Sequence, residues 1–503
     1  MGRIAQDFFA QARRLPNKTA LVCAGLSLSY QELAAAVARY AHFLLAHGVK
    51  PGEHLGVAMP NNVESVTLLL CCEHLGVTIV PLNPDLTPAT VQAAVTSSDI
   101  RHFAARRAFF KRLGDFTALC AEGLKLCLDG EYPGTVSLQN SARLSSEPPV
   151  VTSVSDDPLF ILTLTSGSTG DPKPIALTQK NKYRRAAEHN RWYGVTDSDV
   201  VLAATPLYHS LAERLTFMPL ICGATLVLLP HFTPQLWLKS VLEDGVTFTI
   251  AVSSQLKQVA KLLQGRSGET GVLRLLVSSS ALLEASTREL LCERLHCSFR
   301  EMYGTSETST VTDIDCKESG KPRSVGKALP WARVKILRED GTEAIAGERG
   351  EIAVQSDLLC TPYYHKEPIF EEALYQGYFK TGDLGYLDEE GYLYYTGRLK
   401  DLIISGGVNI YPQDLEQALL ELEGVAECAA CALPDERLGE VPGLAVVLRE
   451  GSTLNIEQIQ YHCLTALPSF AQPRQIIIVA ELPKNPMGKL VRAKLPEMFT
   501  TAE

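Results

Sequence analysis

Apolar residues recur along the first hundred positions with two alternating periods. Leu33, Val37, Tyr40, Leu44 and Leu45 fall on one face at helical spacing and predict a helix over 30–47, with Gly48 as the glycine just past its end. The runs 55–59 and 78–82 are short and apolar and read as buried strands; 62–74 and 87–97 read as helices. A hairpin-like stretch over 19–30 precedes them. Alternating strand and helix patterns predict α/β layering with parallel strands. From about 98 to 155 the pattern is not legible and carries no chemistry. It resumes with a β-branched strand opening at 160, a helix over 179–193, a strand at 200–204, and buried strands over 246–253 and 272–281 that end in small residues. Residues 413–475 read as a small α/β region: a helix over 413–422, strands near 426–433 and 443–449, and a helix over 456–467. No repeat and no low-complexity tract interrupts this order.

Length changes the picture first: 503 residues exceed one core, so at least two domains are expected. A hydrophobic share of 46% is ordinary for a soluble protein, and a net charge of -10 argues against a nucleic-acid binder. The most apolar stretch, 66–82, is broken by Glu73 and His74 and is too short to span a bilayer. The first residues lack the apolar run of a signal peptide, Gly2 lacks a hydroxyl residue at position 6, and the last three are no peroxisomal address. Thirteen cysteines suit a reducing compartment, and a cytoplasmic location is expected. Cys428 and Cys431 lie in a predicted strand, where positions three apart face opposite sides, so core packing is expected rather than a metal or redox pair.

The chemistry begins where the strand at 160 gives way to small residues. Thr165, Ser166, Ser168 and Thr169 supply hydroxyls, Gly167 and Gly170 let the backbone approach a ligand, and Lys173 adds a mobile cation. These features suit a nucleotide-phosphate grip; a plain surface turn is the alternative. The usual P-loop is excluded, because the glycines are three apart and Pro174 follows the lysine.

Thr165-Ser-Gly-Ser-Thr-Gly-Asp-Pro-Lys173 resembles the signature of the adenylate-forming enzymes, the superfamily of acyl- and aryl-CoA synthetases, nonribosomal-peptide adenylation domains and luciferase. Pro174 departs from it, since a glycine usually follows the lysine; proline removes an N–H and fixes φ. Four further segments match in family order, so the resemblance spans nearly the whole chain and is closest to acyl- or aryl-CoA ligases. In Pro206-Leu-Tyr-His-Ser210, His209 matches a histidine at the acyl pocket; a capped or core histidine is the alternative. Ser210 stands where amino-acid-activating members keep an aspartate for the substrate ammonium, which disfavours an α-amino acid substrate. Arg214, on a predicted helix, would reach the pocket and meet a second acidic or polar group; a surface or neighbour-paired arginine is the alternative. The turn near 278–281 lines the pocket in the family, and Ser279 makes it polar here.

Glu301-Met-Tyr-Gly-Thr-Ser-Glu307 implies that Tyr303 stacks on adenine, Gly304 borders the substrate, Ser306 bonds the α-phosphate and Glu307 holds Mg²⁺. In 377–383, Asp383 matches the aspartate that accepts both ribose hydroxyls. In 391–401, an aromatic hairpin strand that Thr396-Gly397 is expected to break, Arg398 matches a ribose-contacting arginine. Lys400 stands at the family's hinge. Gly406 and Gly407 match the loop that approaches the pantetheine thiol, with Val408 in place of a common glutamate. Pro483-Lys-Asn-Pro-Met-Gly-Lys489 implies a mobile catalytic lysine, Lys489; an ordinary solvated lysine is the alternative.

The resemblance implies an α/β fold: a large N-terminal domain of layered mixed sheets and helices, 1–399, that binds ATP and the acid, and a small mobile α+β domain, 400–503, hinged at Lys400. It implies an acid–thiol ligase that uses ATP and Mg²⁺ to make an acyl-adenylate of a small carboxylic acid. Coenzyme A is the expected acceptor. The alternatives are the phosphopantetheine of a separate acyl or peptidyl carrier protein, or a noncatalytic binding homologue.

Overall fold

The computed structural model describes residues 2–116, 119–152, 155–165, 173–265, 271–281, 283–316, 321, 323–484, 488 and 490–500. The chain forms two compact units. The first comprises Met1–Pro322 and Ser356–Leu374; the second comprises Arg323–Gln355 and Tyr375–Glu503. The boundary expected at Lys400 therefore lies inside the second unit.

The first unit is built on two sheets. In one, parallel strands run in the order Lys125–Cys127, Ile100–Ala105, His54–Ala58, Thr78–Leu82 and Leu159–Thr165; Lys173–Thr178 returns antiparallel at the edge. In the other, Ser298–Thr305, Leu275–Ser279, Phe248–Val252, Val200–Ala203, Thr225–Leu228 and Thr19–Cys23 are parallel neighbours. Strand Ser309–Asp315 folds back on Ser298–Thr305, and Leu26–Ser29 pairs with Thr19–Cys23, both antiparallel.

The predicted helices form where the local signals agree. Tyr30–Ala46 begins at a reciprocal cap: the Glu32 amide donates to Ser29 Oγ, and the Ser29 amide donates to Glu32 Oε2. It ends before Gly48, whose φ of 81° needs glycine. Among the described residues, the segment that sequence left unread holds three short strands, Ile100–Ala105, Lys125–Cys127 and Val136–Ser137, and the helix Arg107–Leu113, with Phe103, Phe109 and Phe110 in the core. Three-residue strands and seven-residue helices are too short to show a period.

The second unit carries two smaller sheets. Tyr378–Leu387 is flanked by Gly350–Ser356 and Leu393–Arg398. Thr396-Gly397 does not break the last strand as expected. Gly397 stays paired opposite Leu384, and a φ of 133°, open to glycine, absorbs the neighbouring register shift. In the other sheet, Val425–Asp435 pairs antiparallel with Gly439–Leu448, and Gln475–Ile478 joins that strand in parallel. Pro412–Leu420 and Ile456–Ala466 form the helices expected there. Cys428 and Cys431 contribute to separate apolar clusters on the two faces of their strand, and Cys428 Sγ donates to Glu416 O. Among the described residues no cysteine forms a disulfide, no group of three potential ligands could hold a metal, and no helix is long and apolar enough to cross a membrane.

Candidate active site

In the first unit several candidate residues lie at the C-terminal ends of parallel strands of one sheet. Ser279 ends Leu275–Ser279, Gly304 to Glu307 close Ser298–Thr305, and His209 follows Val200–Ala203 by a short turn. Strand C-termini in such a sheet are where ligands bind.

Glu307 is held from two sides. The Tyr363 hydroxyl donates to Glu307 Oε1 at 2.9 Å, and the Cys360 amide donates to the Glu307 carbonyl at 2.8 Å. Burial, and then the Glu307 charge, push the Tyr363 phenol up, so it stays a donor at any working pH. Lys173 Nζ sits 5.7 Å from the centroid of the same ring. Tyr363 thus links the lysine of the glycine loop to the carboxylate of the second motif. The segment bearing Tyr363 lies along the edge strand: the Tyr364 amide donates to Pro174 O at 3.0 Å, and Thr361 bridges to Ala176. Pro174 is tolerated because it is the second residue of that edge strand and its carbonyl still serves. The glycine-loop residues Ser166, Gly167, Ser168, Thr169 and Gly170 lie outside the described residues, as does Lys489. Thr165 is the last residue of its strand, opposite Lys173.

The 305–308 turn is locked by two threonines. The Thr305 amide donates to Thr308 Oγ1 at 3.1 Å, and the Thr308 amide donates to Thr305 Oγ1 at 3.2 Å. Beneath it lies Arg185, from the helix Gln179–Tyr193 and only 2% exposed. Its Nη1 donates to Ser306 O at 2.9 Å, Nε to Leu358 O at 3.0 Å, and Nη2 to Leu358 O at 2.7 Å and to Glu307 O. Tyr303 is buried, and Gly304 beside it is exposed. A Cβ at Gly304 would stand 1.9 Å from Ser309 O, so only glycine fits this bulge.

His209 is the N-cap residue of the helix Ser210–Cys222, and its ring lies 4.6 Å from that of Tyr208. Burial pushes its pKa down to about 4, so it is neutral at pH 7. The turn leading to it is clamped by buried Asn61, whose Nδ2 donates to Thr205 O and Leu229 O and whose Oδ1 accepts from the Leu207 amide. On the helix itself, Glu213 pairs with Lys182, and Arg214 Nη1 donates to His189 Nε2 at 2.9 Å and Thr310 Oγ1 at 2.7 Å. Sequence reasoning missed Arg185, Tyr363 and Asn61. None lies in a motif, and each acts through the fold on a residue that does.

In the second unit, Asp383 and Arg398 are direct cross-strand partners, with Arg398 Nε 3.5 Å from Asp383 Oδ1. Asp383 is 7% exposed. Lys400 is exposed, in the single turn Leu399–Asp401. Gly406 and Gly407 form the exposed two-residue tip between Ile403–Ser405 and Val408–Ile410, with φ of 56° and 82°. Successive positive φ values are those of a type I′ hairpin turn, which explains both glycines.

The donor sets suit the groups expected. A carboxylate with one oxygen engaged by a phenol keeps oxygen lone pairs for a hard cation, and with no all-protein cage among the described residues such a cation would be completed by phosphate oxygens.

Comparison with known proteins agrees. Residues 8–364 match the family described as AMP-binding enzyme, and 414–489 match the AMP-binding enzyme C-terminal domain. The chain is 31% identical over 496 residues to a 2-succinylbenzoate–CoA ligase of Listeria monocytogenes, covering 97% of this chain and 98% of that one. It is 28% identical over 483 residues to the long-chain-fatty-acid–CoA ligase FadD13 of Mycobacterium tuberculosis, covering 94% and 93%. The structure of o-succinylbenzoate coenzyme A synthetase (MenE) from Bacillus subtilis, in complex with ATP and magnesium ion, superposes with a TM-score of 0.84 at 29% identity, over 97% of this chain and 98% of that one. The chain belongs to the AMP-binding enzymes, the adenylate-forming superfamily that its motifs resemble.

Proposed function

We propose that this enzyme activates a small carboxylic acid with Mg-ATP and transfers the acyl group to coenzyme A in the cytoplasm. The substrate carboxylate attacks the α-phosphorus, the bond to pyrophosphate breaks, and an acyl-adenylate forms. The thiol then attacks the acyl carbonyl and AMP leaves. No protein nucleophile takes part; positioning and charge stabilisation carry both steps. The observation that carries this reading is the Glu307–Tyr363–Lys173 cluster at the strand ends, inside the span matched by the family.

In this scheme Lys173 and the hydroxyls of 165–169 bind the phosphates, Ser306 the α-phosphate, and Tyr303 the adenine. Asp383 accepts the ribose hydroxyls with Arg398 beside it. Glu307 would hold magnesium, which neutralises charge on the phosphates. His209, neutral, lines the acid pocket with Ser210, Ser279 and Gly304. Lys489 stabilises the charge gathered between carboxylate and α-phosphate. Residues beyond Lys400 turn about it between the half-reactions, bringing the Gly406-Gly407 tip to the thiol.

Ser210 has no negative charge for an ammonium, so the acid is not an α-amino acid. The two relatives named above differ in this respect: 2-succinylbenzoate bears a second carboxylate and a long-chain fatty acid does not. Their names support coenzyme A as acceptor.

The test is pyrophosphate release with Mg-ATP over a panel of carboxylic acids, with and without coenzyme A. Release that becomes catalytic only with coenzyme A is the expected outcome. Release that stops at one equivalent despite coenzyme A refutes that acceptor, and silence with every acid refutes the ligase.

A further inference from the structure

Among the described residues of the first unit, three cations lie almost wholly buried: Lys182, Arg185 and Arg214, which are 1%, 2% and 7% exposed. Two are accounted for. Arg185 directs its donors at the Leu358, Ser306 and Glu307 carbonyls, and Lys182 is paired with Glu213. Arg214 is treated differently. Its hydrogen-bond partners, His189 and Thr310, are both uncharged. His189 Nδ1–H donates to Arg185 O, so the ring presents the Nε2 lone pair to the guanidinium and is neutral; burial and the Arg214 charge hold its pKa well below the usual value. Arg214 Nε has no partner, and among the described residues no carboxylate lies within 4 Å of this guanidinium. Glu213 is its sequence neighbour, but that carboxylate is in contact with Lys182.

A buried guanidinium with neutral partners and an idle N–H is costly unless an anion completes it. Its place says which anion. Ser210 and Arg214 are four apart on one helix, hence on one face, one turn apart. Thr310, which accepts from Arg214, is the cross-strand partner of Gly304. The guanidinium is therefore set between the helix that opens after His209 and the strand that pairs with Gly304; His209, Ser210 and Gly304 are assigned above to the acid pocket.

Resting on that assignment, we infer that the acid activated here carries a second anionic group, a carboxylate or sulfonate, and that Arg214 pairs with it. The reacting carboxylate goes to the adenylate, and the second is held at the other end of the substrate. Arg214 is then a specificity residue of the first half-reaction and leaves nucleotide binding untouched.

The test is ATP–pyrophosphate exchange with short aliphatic and aromatic diacids, each run against its own monomethyl ester, which keeps the size and removes one charge. The expected result is a kcat/KM for the best diacid at least about 100-fold above its monoester, in line with one buried charge pair. Arg214→Met abolishes that gap by lowering the diacid alone, with KM for ATP unchanged, and Arg214→Lys restores part of it. Exchange with monocarboxylic acids equal to or above that with diacids overturns the inference and leaves the ligase standing. Equal losses for diacid and monoester in Arg214→Met overturn it too, since a merely structural arginine would act so. Absence of exchange with every acid overturns both readings. Should Arg214→Met not fold, the wild-type profile alone decides.

Discussion

Replacing Arg185 by methionine tests how the Glu307 loop is held. The side chains are similar in length, so little cavity forms, but every donor is lost. The Leu358 and Ser306 carbonyls lose their Arg185 donors, whereas the Glu307 carbonyl keeps the Cys360 amide. An orphaned buried acceptor costs about 1–3 kcal/mol, so two cost roughly 2–6 kcal/mol. Removing a buried charge returns part of this, because burial already pulls the Arg185 pKa down to about 10. A net loss of about 2–4 kcal/mol is expected, which for a unit of this size lowers Tm by roughly 5–10 °C. The effect on activity is separable. With the 306–307 backbone unanchored, kcat/KM for Mg-ATP falls by about 10²-fold, while KM for the acid changes little. Arg185→Lys keeps the charge but replaces a planar fork with a point donor, and recovers stability more than activity. Differential scanning calorimetry and exchange kinetics at varied magnesium check this. An Arg185→Met enzyme with Tm within about 1 °C of wild type and an unchanged magnesium dependence would refute the reasoning.

Tyr363→Phe removes only the hydroxyl on Glu307; magnesium dependence shifts to higher concentration and kcat/KM for Mg-ATP drops about tenfold, with Tm nearly constant. Glu73 receives the Ile4 and Ala5 amides at 3.0 and 2.8 Å, capping the helix Arg3–Arg14, whose N-cap Gly2 has no side chain to do so. Burial nevertheless raises its pKa to about 7 from 4.5. The folded state then binds the proton more tightly than the unfolded one, so this contribution is full below pH 4.5 and is lost as pH rises through about 7, to the extent of about 3 kcal/mol. The Tm difference between wild type and Glu73→Gln should change between pH 5 and pH 8, and a constant difference would sink the assignment. Arg349 pairs with Asp414 at 2.6 and 3.0 Å and lies over Tyr411, tying two segments on either side of Lys400 within the second unit. If residues beyond Lys400 turn about it, Arg349→Ala shifts the ratio of adenylation to thioester formation. The shift is up to about fivefold, the size of a half-exposed pair, and stopped-flow measurement of each half-reaction would read it.

What sequence reveals here depends on whether a residue acts locally or through the fold. Helix Tyr30–Ala46 and strand Thr78–Leu82 were legible because capping, periodicity and length are local properties. Glu307, Asp383 and Gly406-Gly407 were singled out because they lie in short contiguous segments that resemble family motifs, and the fold places them at a strand end, opposite Arg398 and at a hairpin tip. Tyr363 was not, since it reaches Glu307 across 56 positions by way of an edge-strand contact that no pattern encodes. Asn61 clamps a turn 144 positions away through an amide that elsewhere would pass for a loop residue. The division into units failed to follow Lys400 for a similar reason: Arg323–Gln355 joins the later chain by pairing, as Gly350–Ser356 does with Tyr378–Leu387.

The helix Gln179–Tyr193 gives the sharpest case. Its buried face carries Lys182, Arg185, His189 and Asn190, not an apolar stripe, and it packs on Ser210–Cys222, which answers with Glu213 and Arg214. Hydrophobic periodicity cannot see such a seam. An apolar seam of equal volume would be as stable or more so, because desolvating charge offsets most of what pairing returns. What the polar seam supplies is placement: a fork that fixes three carbonyls under the Glu307 turn, and a second guanidinium left with a donor unspent. The first is explained by the backbone it holds. Among the described residues no carboxylate pairs with the second, and the anionic group proposed for the substrate would complete it.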